Sequence, residues 1–492
     1  NNKNVIALVG NDALRKNTSY DVNAQAWLTI DIVKGLSWHT KGAVRMIAER
    51  EKEWRPLVKL YNYHSGEYMN ELDVGAKGLN SNDYHTFYTY LYSYLKYDVS
   101  TKDQNHNFGL QLGYSQETND YDWLKGYRKD FPFPLTEIDA GSKELQEAEG
   151  NLEQWSLMGI FGRFNYNYKE RYLFEANFRY DGSSRINPDD RWGIFPSFSA
   201  GYDIARTDYF KQWSLPVSQL KVRLSYGRLG NQNGAGLYDY LNFMTLRPDY
   251  SNAWLLSGVT SATPVRGTVA LTPSMVSPYI TWEKVDNANL GFDLTLLNNR
   301  LTITADIYQR TTKDMIGPAE AIPDIRGIAV DQRAKVNNAT LRNRGWELSV
   351  NWSDQLKNGF SYGIGFNIFD YKAVVTKYNN PEGLIYNNHT GLVRNKGYYQ
   401  GMDLGEIWGY EANDLFLTNQ EVDEYLRGVD MSFFKPNKDW QRGDLKYIDS
   451  NGDGKIDPGS GTLKDHGDLK IIGNTTPRYS FGLNLHAGYK GF

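Results

Sequence analysis

The stretch Arg171-Tyr172-Leu173-Phe174-Glu175-Ala176-Asn177-Phe178-Arg179-Tyr180 decides the fold. Tyr172, Phe174, Ala176, Phe178 and Tyr180 occupy one parity, and Arg171, Leu173, Glu175, Asn177 and Arg179 the other. Successive side chains of a strand point to opposite faces, so this strand has one face suited to lipid and one mostly polar. The pattern recurs. Leu301, Ile303, Ala305 and Ile307 alternate with Thr302, Thr304, Asp306 and Tyr308. Trp346, Leu348, Val350 and Trp352 alternate with Glu347, Ser349 and Asn351. Phe481, Leu483, Leu485, Ala487 and Tyr489 alternate with Gly482, Asn484, His486 and Gly488. An antiparallel sandwich also shows one-sided alternation. Length favours a membrane wall: the runs commonly reach about 9–13 residues, against ~5–6 for a globular strand and ~9–11 for a tilted membrane strand. The polar parity carries Gly, Asn, Ser, Asp, Glu and Arg in strand after strand, as a wet lumen allows.

Outward from this stretch, thirteen such runs are separated by gaps that alternate short and long. Short connections fall near 33–36, 98–107, 167–170, 205–217, 297–299 and 353–358. Long ones fall near 51–83, 118–154, 182–191, 229–281, 312–340 and 374–476. A meander with every short turn at one end is the layout of an outer-membrane barrel, whose short turns are periplasmic and whose long loops face outward. The expected class is all-β, a transmembrane antiparallel β-barrel portion over residues 1–492, with large extracellular loops at 229–281, 312–340 and 374–476. Loop lengths vary too widely for a fixed-period repeat. The insertion 374–476 is too long for a bare loop and should hold structure of its own. Within it, Thr418–Arg427 reads as a short helix, with Glu421, Asp423 and Glu424 near its start and Arg427 at its end.

Hydrophobic content of 40% and a mean hydropathy of −0.60 would ordinarily describe a soluble chain. A wide barrel gives the same averages, because every second strand residue faces water and the loops are polar. A tyrosine-rich soluble glycan-binding or hydrolytic β protein is the competing reading. Aromatic residues make up 14% of the chain, with 36 Tyr, and such rings settle at membrane–water boundaries. No apolar run reaches the ~18 residues of a membrane helix. A net charge of −4 without a basic run gives no reason to expect nucleic acid as a partner. The absence of cysteine excludes disulfides and thiolate-bound metals. A barrel must be secreted, yet no signal peptide is visible at Asn1, so the natural N-terminus is expected to be processed or to lie upstream.

Several segments resemble the SusC/RagA family of TonB-dependent outer-membrane transporters from Bacteroidetes. The most specific runs from Gly162-Arg163-Phe164-Asn165-Tyr166-Asn167-Tyr168 through Tyr172–Arg185 and on to Arg191-Trp192-Gly193-Ile194-Phe195-Pro196-Ser197-Phe198-Ser199-Ala200-Gly201. Others are Leu220–Gly227 with Gly230-Asn231, Trp282-Glu283-Lys284, Asn343-Arg344-Gly345-Trp346-Glu347, Asp444–Asp449 and Ile472–Tyr479. The resemblance covers roughly 155–490 and is weaker over 1–154. It implies a barrel, of ~22 strands in the large transporters, occluded by an N-terminal plug. It also implies a periplasmic segment that contacts the TonB–ExbB–ExbD complex, a SusD-like surface lipoprotein as lid, and outer-membrane lipid around the wall. The cargo implied is an oligosaccharide or a peptide, imported actively. Plug and TonB segment have no counterpart here. Thirteen is an odd number of strands, and Phe492 is out of phase with the apolar parity of the last strand. The chain is therefore expected to be an interior slice of a longer protein, lacking the plug and the C-terminal strands. A siderophore receptor of the same architecture without the lid, and a passive porin or structural barrel, are the rival functions.

Asp449-Ser450-Asn451-Gly452-Asp453-Gly454-Lys455-Ile456-Asp457 resembles the first nine positions of a calcium loop. Asp449, Asn451, Asp453 and Asp457 supply oxygens at positions 1, 3, 5 and 9, Gly454 at position 6 permits the sharp turn, and Lys455 offers its carbonyl at 7. Position 12 is Ser460 and not Glu; Asp465 or Asp468 would have to substitute. The plain alternative is a Gly/Asp-rich turn. No cofactor is required, and a structural calcium is the one candidate. Trp254, Tyr240, Tyr250, Trp408, Tyr410 and Trp440 lie in long loops, where aromatic faces stack on sugars or simply pack the loop. Carboxylate pairs such as Asp189-Asp190 fall in exposed loops, and no nucleophile elbow, Walker loop, dinucleotide fingerprint or HExxH appears, so no enzyme is expected.

Overall fold

A computed structural model describes residues 13–490, except 72–77, 133–135, 145, 214, 245, 248–267, 271–274, 278–279, 318–333, 386–396 and 435–438. Tyr250, Trp254 and Phe492 lie outside the described residues. Thirteen long strands form one sheet in chain order. They are β1 (Leu14–Val33), β2 (Leu36–Arg55), β3 (Gly78–Ser100), β4 (His106–Arg128), β5 (Gln146–Tyr168), β6 (Tyr172–Ser183) and β7 (Trp192–Asp203). The series continues with β8 (Val217–Asn231), β9 (Glu283–Leu296), β10 (Leu301–Gly317), β11 (Val336–Gln355), β12 (Phe360–Lys377) and β13 (Ser480–Tyr489). The expected meander of thirteen strands is thus observed, and no helix among the described residues is long and apolar enough to cross a membrane.

Contacts group the chain into two compact units. The first comprises residues 1–99, 109–162 and 179–185; the second comprises 100–108, 163–178 and 186–492. In the first, β1 and β2 pair without a break from Leu14↔Trp54 to Asp31↔Ser37, and close through Lys34-Gly35. Gly35 has φ of 86°, and a Cβ there would lie 2.4 Å from the Asp98 carbonyl oxygen. Only glycine fits this turn.

In the second unit, register sets both faces at once. Leu224, Leu290, Ile307 and Trp346 are directly opposed across β8–β11 and lie exposed on the outward face. One residue on, Arg223, Gly291, Asp306 and Glu347 form the lumen-facing row. The Arg223 guanidinium lies over Gly291 and reaches Asp293 at 2.7 Å and Asp306 at 3.1 Å. A Cβ at Gly291 would sit 2.5 Å from the guanidinium carbon, so glycine is what lets the arginine bridge two strands. On the outward side of the periplasmic ends, Tyr172 stacks on Tyr202 at 4.9 Å, and the Tyr202 and Tyr209 hydroxyls are 3.1 Å apart. From Tyr172 to Tyr180 is about 26 Å of strand at ~3.3 Å per residue, comparable to the ~25 Å apolar band of such walls.

The strands run further than their sequence pattern suggests. The expected long loops 118–154 and 51–83 shrink to 129–145 and 56–77, because β4 continues to Arg128, β5 begins at Gln146 and β2 continues to Arg55. Beyond the lipid both faces of a strand meet water, so the alternation that marks a strand disappears there while backbone pairing continues. Each 23-residue strand is about 75 Å long by the same rise. Tilted by ~40°, it stands far above the bilayer on the extracellular side.

Candidate functional site

Three regions hold the clustered side chains from which a site could be built. The first is the extracellular end of β7–β10. Trp282 is buried and donates its indole N–H to the Arg191 carbonyl at 2.8 Å, with Phe195 edge-on at 5.2 Å. Glu283 accepts from the Asn231 side chain at 2.7 Å and from the Ile316 backbone N–H at 3.2 Å. Lys284 pairs with Asp314 at 3.0 Å. Phe195 covers Gly193 and Gly230, where a Cβ would clash with the ring at 2.5 and 2.2 Å. Motifs scattered over ninety residues of sequence therefore meet in one brace that fixes the mouth of the wall.

The second region is the insertion between β12 and β13. It carries two cores. Val375, Ile385, Tyr399, Met402, Trp408 and Leu469 form one at its base. Phe416, Val422, Met431 and Ile456 form the other, flanked by Tyr410, Tyr425, Trp440 and Tyr447. Trp408, Tyr410 and Trp440 thus pack the loop and are not free to stack on a ligand; Tyr240 is half-buried elsewhere. The expected helix is present as Asn419–Leu426. Thr418 accepts from the Glu421 backbone N–H at 3.2 Å, and Glu421 accepts from the Leu417 N–H at 3.0 Å, two reciprocal bonds that close the N-terminus of the helix. Burial pushes the Tyr399 phenol well above its ordinary range, and the Glu406 carboxylate that accepts the hydrogen bond from its hydroxyl adds to the shift. Arg478 closes the insertion onto the wall by gripping Asp370 with two hydrogen bonds of 2.7 and 2.5 Å. Beside this grip lies a cleft of about 410 Å³, walled by Lys372, Asp403, Ile471, Asn474 and Thr476.

The calcium-like loop sits in the same insertion. Asp449 accepts from the backbone N–H groups of Gly452 (2.6 Å) and Gly454 (2.8 Å), Asp453 from that of Lys455 (2.9 Å), and Asp457 from that of Gly459 (2.8 Å). The Asn451 side chain accepts from the Asp453 N–H at 3.1 Å. Buried Asp468 accepts from the N–H groups of Ser450 and Asp457 at 2.6 and 3.0 Å. Ile456 is fully buried, and its N–H bonds to the Asp430 carbonyl at 2.9 Å, so the loop holds the second core in place. Among the described residues no three acidic or histidine side chains converge as a metal cluster. Asp189 and Asp190 are exposed on a loop.

The third region is a column of rings on the wall itself. On β3, Tyr84, Tyr88, Tyr90, Tyr92 and Tyr94 share one parity, while Phe87, Leu91 and Leu95 point outward and are exposed. Their neighbours across the β2 pairing are Glu49, Arg45, Ala43, Lys41 and His39, which marks this as the lumen face. Tyr94 stacks on His39 at 4.7 Å and Tyr92 on Phe161 at 4.8 Å, nearly parallel. Tyr90 lies 6.1 Å from Tyr92, Tyr88 6.4 Å from Trp155, and Tyr84 6.4 Å from Tyr121. The signal was in the sequence as tyrosine at every second position over 88–94.

The matching family model is the TonB dependent receptor-like β-barrel, which spans residues 10–492. The chain belongs to this family. It is 28% identical over 355 residues to the TonB-dependent receptor SusC of Bacteroides thetaiotaomicron, covering 71% of this chain and 33% of that protein. It is 27% identical over 410 residues to the TonB-dependent receptor P3 of Formosa agariphila, covering 81% and 37%. Among solved structures, that of the RagAB peptide transporter matches with a TM-score of 0.72 at 20% identity, over 97% of this chain and 47% of that one. The chain thus spans about a third of the length of these curated relatives. Family and fold place this TonB-receptor barrel wall in the outer membrane, as the SusC/RagA resemblance implies.

Proposed function

We propose that this TonB-receptor barrel wall belongs to an active importer that carries an oligosaccharide across the outer membrane, energised through TonB–ExbB–ExbD and served by a SusD-like surface lipoprotein. The observation that carries the reading is the family match over almost the whole chain, together with the similarity to SusC. The half-exposed lumen tyrosines favour an uncharged, ring-bearing cargo over a free passage for ions. The mechanism is gating. Capture under the lid favours release of a TonB-contact segment, and pulling on it opens the lumen. In a cell carrying the full-length transporter and its lipoprotein partner, uptake of labelled hexasaccharides should disappear when TonB is deleted. Uptake that persists without TonB would indicate a passive pore, and uptake of ferric siderophores instead would indicate the receptor reading. A structural calcium in the Asp449–Asp457 loop is likewise a proposal: heat on adding calcium, abolished by Asp453→Asn, supports it, and no heat overturns it.

A further inference from the structure

The lumen face of the first unit is unlike that of the second. Its partner rows hold Lys41, Arg45 and Glu49, yet its centre is a column of rings about 33 Å long from Tyr84 to Tyr94, at ~3.3 Å per residue. On β8–β12 the corresponding parity carries Ser225, Asn289, Thr304, Ser349 and Asn367, and its rings, Tyr308, Phe369 and Tyr371, do not form a run of four on one strand. A polar lumen needs no aromatic column for stability, since small hydrophilic side chains satisfy water equally well.

The rings are braced rather than loose. Arg179 lies 5.5 Å over Phe161 and is itself held by Asp181 at 2.8 Å and by the Ser115 hydroxyl at 3.1 Å. Tyr88 donates to Glu117 at 3.1 Å. Gly113 leaves room for Phe161: a Cβ there would meet the ring at 2.3 Å. Preorganised rings lose little side-chain entropy when a ligand arrives. Each tyrosine offers an apolar ring with a hydroxyl at its tip, and an oligosaccharide offers alternating C–H patches and hydroxyls. Repeated every second residue, the two patterns supply many weak, equivalent contacts, which lets a chain advance without being trapped.

We infer that the half-exposed rings of Tyr88, Tyr90, Tyr92, Tyr94 and Trp155, backed by the buried Phe161, form a binding track along which an oligosaccharide chain passes through the lumen. The inference rests on the import reading above and adds where the cargo is held after it leaves the mouth. The test uses the full-length transporter with its lipoprotein partner in cells, and a panel of labelled gluco-, manno-, xylo- and fructo-hexasaccharides. The pair Tyr90→Leu and Tyr92→Leu should slow uptake of the imported hexasaccharide roughly tenfold, the loss expected for removing two ring contacts. Outer-membrane abundance and the affinity of the purified complex for the same hexasaccharide at its outer surface should stay unchanged. The pair Tyr90→Phe and Tyr92→Phe should import within about twofold of the parent, because the ring is retained. Uptake at the parental rate by the leucine pair overturns the track and leaves the import reading standing. Equal loss in the phenylalanine pair overturns ring contact as its basis. No uptake of any hexasaccharide by the parent, with peptides imported instead, overturns both.

Discussion

The wall and the insertion between β12 and β13 solve opposite problems with the same residue types. On β13 the large apolar side chains point out: Phe481, Leu483 and Leu485 are 73%, 60% and 67% exposed. In the insertion they point in: Phe416 and Ile456 are 1% and 0% exposed. The wall is held by continuous backbone pairing and cross-strand contacts, and lipid covers its apolar face. The insertion is built as a water-soluble fold is, with a capped helix, paired short strands and a packed core. Averages over the chain conceal this, which is why the mean hydropathy misleads. What a hydrophobic residue reports depends on the solvent its face meets.

The contrast breaks hardest at the second core. Phe416→Ala should destabilise the insertion by about 3–5 kcal/mol, the usual cost of emptying a packed aromatic site. Limited proteolysis of the full-length protein should then cut within 378–479, while the wall keeps its compact mobility on unheated gels. Loss of both together would show that the insertion and the wall fold as one cooperative unit.

A comparable but smaller effect is expected on the wall. Leu485 pairs with Ile364 on the outward face of β13, between Tyr479 and Tyr489. Leu485→Arg should cost ~2–4 kcal/mol by placing a charge at mid-bilayer, and should lower the fraction of folded barrel. The neighbouring Asn484→Lys, on the lumen side, should be tolerated. Equal damage from both would mean that the two faces are not distinguished as the parity requires. Thr418→Ala removes only one cap and should cost about 1 kcal/mol. Hydrogen exchange of the Asn419–Leu426 amides should report it, with the wall strands unchanged.

The wall was legible in the sequence because lipid enforces a period of two; Arg171–Tyr180 shows it without help from neighbours. Its outer reaches were not, since Thr118–Arg128 and Gln146–Gln154 meet water on both sides and lose the period. The helix after Thr418 was legible from its cap and charges. The fates of Trp408 and Trp440 were not, because an aromatic residue in a long loop looks the same in sequence whether it packs a core or awaits a ligand. The tyrosine column lay in plain alternation. It is ambiguous in sequence because a tyrosine-rich strand also fits an interface girdle, and the neighbours Arg45, Lys41 and His39 assign it to the lumen.

The smallest effect separates the two regions by charge. In the periplasmic turn between β3 and β4, the Asp103 carboxyl is held at about 2 by the Thr101 hydroxyl and by the side chain and backbone of Asn105. In the insertion, Ser460 likewise holds the Asp465 carboxyl below its ordinary value. A carboxyl depressed by folding favours the folded form above its unfolded value of about 3.9, and that contribution fades as pH falls towards the folded value. For Asp103 the turn should therefore loosen between about pH 4 and pH 2. Both carboxyls are fully exposed to solvent, so the effect is local. Amide exchange at Asn105 and His106 should quicken over that range in the parent and show no such step in Asp103→Asn, while the strand amides of β3 and β4 stay protected throughout. A simultaneous loss of strand protection would mean that this turn, and not the lipid-facing alternation, holds that part of the wall together.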